Sequence, residues 1–214
     1  MITVRGTGRY TGRPDTITLT LTLSAQKTDY ERASELASGQ LEKLRASLQL
    51  LGMPKDSLKT ADFQVSAEYD YRREEGENRR VFAGYRVAHT LTLDMELDTK
   101  MLGRVLGSIS GSGSKPEIAV RFGIRDTEAV RNAVLADAAR NARARAEALA
   151  AASGVRLGHL VDIRYRCGGQ DILSDTAYHV GEGVAMPLKA RSVEIEPTEI
   201  HLEDSAEFVW ELQD

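Results

Sequence analysis

Thr16-Ile17-Thr18-Leu19-Thr20-Leu21-Thr22-Leu23 decides the fold. Threonine at every even position and an aliphatic side chain at every odd one is a period of two, the mark of a strand buried on one face. The β-branched threonines suit the outer row, and the aliphatic row must lie on a core. Gly12 and Pro14 part this strand from an earlier one around Ile2–Tyr10.

Downstream, Thr28 and Glu31 have the spacing of a capping box, which predicts a helix start there. Ala33, Ala37, Leu41, Leu44, Leu48 and Leu51 follow at helical spacing, and Gly52 with Pro54 ends the run. Two strands are expected at Lys59–Arg72 and Val81–Leu97, the second alternating Leu91, Leu93, Met95 and Leu97 with Thr90, Thr92, Asp94 and Glu96. The mixed charges between them read as a solvated hairpin tip. Asp98 is placed to cap a short helix through about Ser110. Ile118, Val120, Phe122 and Ile124 then alternate as a strand, and Asp126 caps an alanine-rich helix near Thr127–Ser153 that Gly154 ends. Its small side chains allow close approach to a sheet or another helix, whereas Arg140, Arg143 and Arg145 read as a solvated face.

A strand is expected at His159–Arg166, followed by Cys167–Arg191, which shows neither period. Ile200, Leu202, Ala206, Phe208, Trp210 and Leu212 restore the alternation at the C-terminus, and Pro197 confines the start of that strand to an end or a sheet edge. The expected order is ββαββαβαββ, an α+β fold with largely antiparallel sheet pairing and helices on one face.

A chain of 214 residues is long enough to bury a core without staples. A hydrophobic share of 42% and a charged share of 28% exclude disorder and a fibrous class. We expect a single domain over residues 1–214, divisible into subdomains of about 1–97 with the C-terminal strands and about 98–166, with an irregular excursion at 168–191 read as an assembly arm. The net charge of −4 and the lack of a dominant basic segment make nucleic acid a disfavoured partner. Residues 1–10 show no basic segment leading into an apolar one, so the chain as given reads as cytoplasmic, or periplasmic if a signal peptide was removed. No apolar run reaches the length of a transmembrane segment.

Motifs with chemistry mostly fail. Gly6-Thr-Gly8 is followed by neither a third glycine nor a helix, so it is not a dinucleotide turn. The stretch Gly107–Lys115 lacks the Gly-Lys-Ser/Thr ending and the helix that a phosphate cradle needs. His89, His159, His179 and His201 are isolated in sequence, which speaks against a metal site. His89 shares a strand's apolar face with Val87 and Leu91 and reads as a satisfied core or interface histidine. The lone Cys167 forms no intramolecular disulfide and reads as a packed or partly exposed thiol. Carboxylates such as Glu194, Glu196, Glu199, Glu203 and Glu207 have the spacing of outer strand faces, not of an acid-base pair. We therefore expect no catalytic residues, no cofactor and no metal.

In the order and spacing of its parts the chain resembles the SIMPL-domain family, a bacterial domain of unknown function that includes periplasmic immunogenic and oxidative-stress-associated proteins. The resemblance rests on Val4-x-Gly6-x-Gly8 ahead of Pro14-Asp15, Leu48 through Gly52, and Thr60-Ala61-Asp62-Phe63 with Tyr69 and Tyr71. It continues through Gly84-Tyr85, Leu102-Gly103, the Ala138/Ala142/Ala146 helix with Leu149-Ala150 and Gly154, and Ile195-x-Pro197. Two features depart from the family: the absent signal peptide, and Thr198 where a glycine usually follows the proline. The resemblance implies an α+β protein that self-assembles, in at least one member into a ring-like or channel-like oligomer, and it implies no catalytic residues. The first expectation is thus a non-enzymatic homo-oligomer with an envelope or stress-related role. The alternatives are a regulatory adaptor, and a small-molecule-binding module or enzyme with a pocket between helices and sheet, lined by His89, Tyr85 and the Cys167–Arg191 loop.

Overall fold

The computed structural model describes residues 1–74, 77–166, 168–181 and 195–214, with side chains at 72–78 left out. In chain order the elements are β1 (Ile2–Gly12), β2 (Thr16–Lys27), α1 (Tyr30–Gln49), a 3₁₀ turn (Lys55–Ser57), β3 (Leu58–Glu74), β4 (Glu77–Glu96) and α2 (Thr99–Gly111). They continue with β5 (Glu117–Gly123), α3 (Thr127–Ala152), β6 (Arg156–Arg164), β7 (Leu173–Val180) and β8 (Ile200–Gln213). The described strands form a three-stranded sheet in the order β1-β8-β6 and a five-stranded one in the order β3-β4-β2-β5-β7. The α+β class and antiparallel pairing hold, with one strand more than expected.

That strand is β7, which occupies part of the stretch read as an irregular excursion. Its residues do alternate in burial, but the buried Ser174 and the half-buried Thr176 are polar, so no hydrophobic period exposes the strand. Ser174 is accommodated because its hydroxyl donates to the Thr198 carbonyl at 2.8 Å. Cys167 and 182–191 lie outside the described residues.

The chain divides into two compact units: residues 1–15, 123–175 and 197–214 form one, and residues 16–122 and 176–196 the other. This differs from the expected grouping, because β1 and β8 pair with each other along their whole length and carry α3, so they belong with β6 and not with β2–β4.

In the second unit the aliphatic row of β2 does what its period demands. Ile17, Leu19, Leu21 and Leu23 are fully buried, and β4 supplies Leu93 opposite Leu19 and Leu91 opposite Leu21. Leu44 and Leu48 of α1 and Leu102, Val105, Leu106 and Ile109 of α2 close over them with Ile118, Val120 and Phe122 of β5. On the other row Thr18 donates to Asp94 at 2.7 Å. Helix α1 begins one residue later than the capping box predicts. Its N-cap is Asp29, which puts Arg32 and not Glu31 at the reciprocal position, and no side-chain cap bond forms. The caps of α2 and α3 are as expected: Asp98 accepts from the Met101 N–H at 2.9 Å and Asp126 from the Ala129 N–H at 2.8 Å.

In the first unit the three-stranded sheet lays Val4, Ala206, Phe208 and Trp210 against Ala142 and Ala146 of α3. Val130 and Val134 of the same helix meet Ile200, Leu202 and Ile172.

Candidate interaction surfaces

An outer strand carries unpaired N–H and C=O groups, and what covers them decides whether a sheet ends or recruits another strand. The outer edge of β1 is covered by side chains of α3. Asp137 accepts from the Arg9 N–H at 3.2 Å, Asn141 from the Thr7 N–H at 3.4 Å, and Arg145 donates to the Arg5 carbonyl at 3.3 Å. Four helical residues rise about 6 Å and two strand residues about 6.8 Å, so the two ladders stay in step over two repeats. Such closeness requires glycine. A Cβ at Gly8 would overlap the Val134 carbonyl oxygen, and one at Gly6 would overlap that of Ala138 and lie 2.7 Å from the Ala142 Cβ. The Gly6-x-Gly8 spacing is therefore a helix-docking device. The alanines of α3 at every fourth position, facing glycines at every second, are the sequence signal that could have identified it. Arg140 and Arg143 lie on the solvated face, paired with Asp137 at 3.2 Å and Glu147 at 2.8 Å, whereas Arg145 serves the seal.

Among the described residues the opposite edge of that sheet is open, and no strand pairs with the outer side of β6. Leu160 (47% exposed), Val161 and Ile163 (52% exposed) are in solvent, as are Tyr165, just past the end of β6, and Leu212, opposite Leu157. The pairing of β6 with β8 is irregular between Leu157 and Asp162, then regular, with Asp162, Ile163 and Arg164 opposite Val209, Phe208 and Glu207. Because Phe208 is buried on the side that holds α3, Ile163 points to that side, and Asp162 and Arg164 share the other face, 3.0 Å apart. A cleft of about 760 Å³ adjoins that face, where Arg5, Arg164 and Arg166 are offset by Asp204 and Glu207. The Tyr165 hydroxyl donates to Asp204 there at 2.8 Å.

The second unit carries another open surface. Strand β2 ends opposite Tyr85, so β3 and β4 continue past it as a two-stranded ribbon. Gly84 stands at the departure point with φ of 135°, where a Cβ would strike the Lys27 carbonyl oxygen. A register shift between Glu68 and Tyr69 then brings Tyr69 opposite Phe82 on the face that carries Tyr85. Rings run along that face in an unbroken line, Tyr30 to Tyr85 at 6.2 Å, Tyr85 to Phe82 at 5.3 Å and Phe82 to Tyr69 at 5.7 Å, each edge to face. The Arg80 guanidinium lies 3.8 Å above the Tyr69 ring. Phe63 (50% exposed), Val65, Tyr69, Tyr71 (74% exposed) and Phe82 are all in solvent.

His89 is placed as expected for a satisfied core histidine: 8% exposed, with Nε2 at 2.9 Å from the Thr60 hydroxyl and its ring edge-on to Phe63 at 5.2 Å. Burial, and second the charge of Arg45, hold its imidazole below the ordinary histidine range. Tyr85 lies on the same face of β4 and is engaged with Tyr30 and Phe82, so His89 and Tyr85 each pack against neighbouring rings. His201 meets the Thr11 hydroxyl at 3.1 Å, and Glu203 pairs with Arg9 at 2.8 Å. Among the described residues no three metal-ligating side chains gather, and no helix is long and apolar enough to cross a membrane.

Comparison with known proteins matches residues 2–210 to the SIMPL family, described as Protein of unknown function (DUF541). The Uncharacterized protein YggE of Edwardsiella ictaluri (strain 93-146) is 24% identical over 211 residues, covering 99% of this chain and 86% of the relative. Its namesakes in Escherichia coli (strain K12) and Shigella flexneri are each 21% identical over 212 residues, covering 99% of this chain and 83% of the relative. From its first strand to its last, this chain belongs to the SIMPL (DUF541) family.

Proposed function

We propose that the chain is a non-catalytic, self-assembling protein whose envelope or stress-related role is exercised by homo-oligomers. The observation that carries this reading is the apolar face of β3 and β4, running from Phe63 and Val65 into the ribbon at Tyr69, Tyr71 and Phe82, all in solvent on one side. Scattered exposed apolar residues are ordinary, but a contiguous set of large ones marks an interaction surface. The open edge of β6 is a second such surface, in the other unit. Assembly covers both, and a second copy of the chain is always at hand to do so.

Gel filtration with light scattering at micromolar concentration tests the reading. An oligomer is the expected species; a strict monomer overturns the proposal.

A further inference from the structure

We propose that the outer edge of β6 pairs antiparallel with β6 of a second copy about a two-fold axis at Ile163, joining two three-stranded sheets into one of six. This rests on the reading that the chain self-assembles, and it adds which strand, which register and which charges.

Strand topology narrows the choice first. Of the two outer strands of the β1-β8-β6 sheet, β1 is sealed by Asp137, Asn141 and Arg145, which leaves β6. Two copies of one strand pair antiparallel across an axis perpendicular to the sheet, and such an axis keeps each face on its own side. Residues opposite one another must then share a face, so in the regular part of the strand the axis passes through a residue and not between two.

Charge then selects the residue. Regular pairing with β8 covers Asp162, Ile163 and Arg164. An axis at Asp162 sets that carboxylate against its own copy, and an axis at Arg164 does the same with two guanidiniums; like charges directly opposite disfavour both. An axis at Ile163 sets Asp162 against Arg164 of the second copy, and Arg164 against the copy's Asp162. Two opposite-charge contacts form on one face and an aliphatic contact at the centre. The present 3.0 Å pair between Arg164 and Asp162 shows that both side chains already lie on that face within reach of each other. Around the axis, the half-exposed Ile163 of each copy finds the apolar cover it lacks in one chain.

Sedimentation equilibrium of four proteins tests the proposal: wild type, D162R, R164D and the double variant D162R/R164D. Each single variant makes both contacts like-charged and should raise the dissociation constant of the contact by about tenfold or more. The double variant restores opposite charges and should return it to within about threefold of wild type. A second measurement needs no charge change. In a C167S background, I163C should give a disulfide-linked dimer on mild oxidation, since residues facing across antiparallel strands have Cα atoms about 4.5–5.5 Å apart. V161C in the same background should not, its two copies being about 14 Å apart along the strands. An oligomeric wild type that is indifferent to R164D and gives no I163C cross-link overturns this interface and leaves assembly standing. A monomeric wild type overturns assembly itself.

Discussion

Replacing Gly8 by alanine adds one methyl group at the place where β1 lies against α3. Built on the existing backbone, that methyl overlaps the Val134 carbonyl oxygen and sits 2.7 Å from the Ala138 nitrogen. Both are main-chain atoms of a helix, so no rotamer change relieves the contact, and truncating Ala138 to glycine should not rescue it. The helix or the strand must retreat by more than an ångström to restore ordinary separation. Overpacking of this kind costs about 1–3 kcal/mol. The retreat also lengthens the bonds from Asp137, Asn141 and Arg145 that seal the β1 edge, each contributing about 0.5–1.5 kcal/mol. Weakening without abolishing them brings the expected loss for Gly8→Ala to about 3 kcal/mol. Urea unfolding followed by circular dichroism measures it. Gly39→Ala is the control: Gly39 lies inside α1 with nothing within 4 Å of its built Cβ, so the same substitution should stabilise by about 0.5–1 kcal/mol. A Gly8→Ala variant within about 0.5 kcal/mol of wild type would refute the close-docking argument.

Asp98→Ala and Asp126→Ala should each cost about 1 kcal/mol, since each aspartate holds a backbone N–H, whereas Asp29→Ala, at an N-cap without a side-chain bond, should cost less than about half as much; equal losses in urea melts would contradict this. The depressed His89 imidazole contributes stability above the ordinary histidine pKa of about 6.5, and that contribution is lost as pH falls from there toward the lower folded-state value. Thermal melts should therefore show a steeper fall of Tm below neutrality in wild type than in His89→Gln, and parallel curves would speak against a buried neutral ring. Replacing Tyr71 and Phe82 together by serine removes two exposed rings of the ribbon and should weaken self-association with little change in Tm; light scattering unchanged from wild type would remove that face from the assembly.

Much of this was legible because hydrophobic period follows burial wherever one face is covered. The Thr/Leu alternation of β2 fixed its register with β4, and Asp98 and Asp126 stand at helix starts where only a short acceptor can reach the third N–H. Strand β7 was not legible, since its inward Ser174 is satisfied by a hydrogen bond instead of apolar contact. The cap of α1 was misplaced by one residue because Thr28 and Asp29 are both good caps and only the backbone decides between them. The spacing of Gly6 and Gly8 invites comparison with a dinucleotide turn, whereas their role is to let α3 approach the strand. The candidate surfaces were the least legible. Phe63, Val65 and Ile163 have the side chains of core residues, and only the topology reveals that nothing in the described chain covers them.

The most direct test of the account is the mass of the wild-type particle in solution, followed by sedimentation velocity from low to high micromolar concentration. Self-association through the open β6 edge and the aromatic ribbon predicts a particle at least twice the 23.5 kDa chain mass that dissociates on dilution or persists as a discrete oligomer. A single species of 23.5 kDa across the whole range would contradict it.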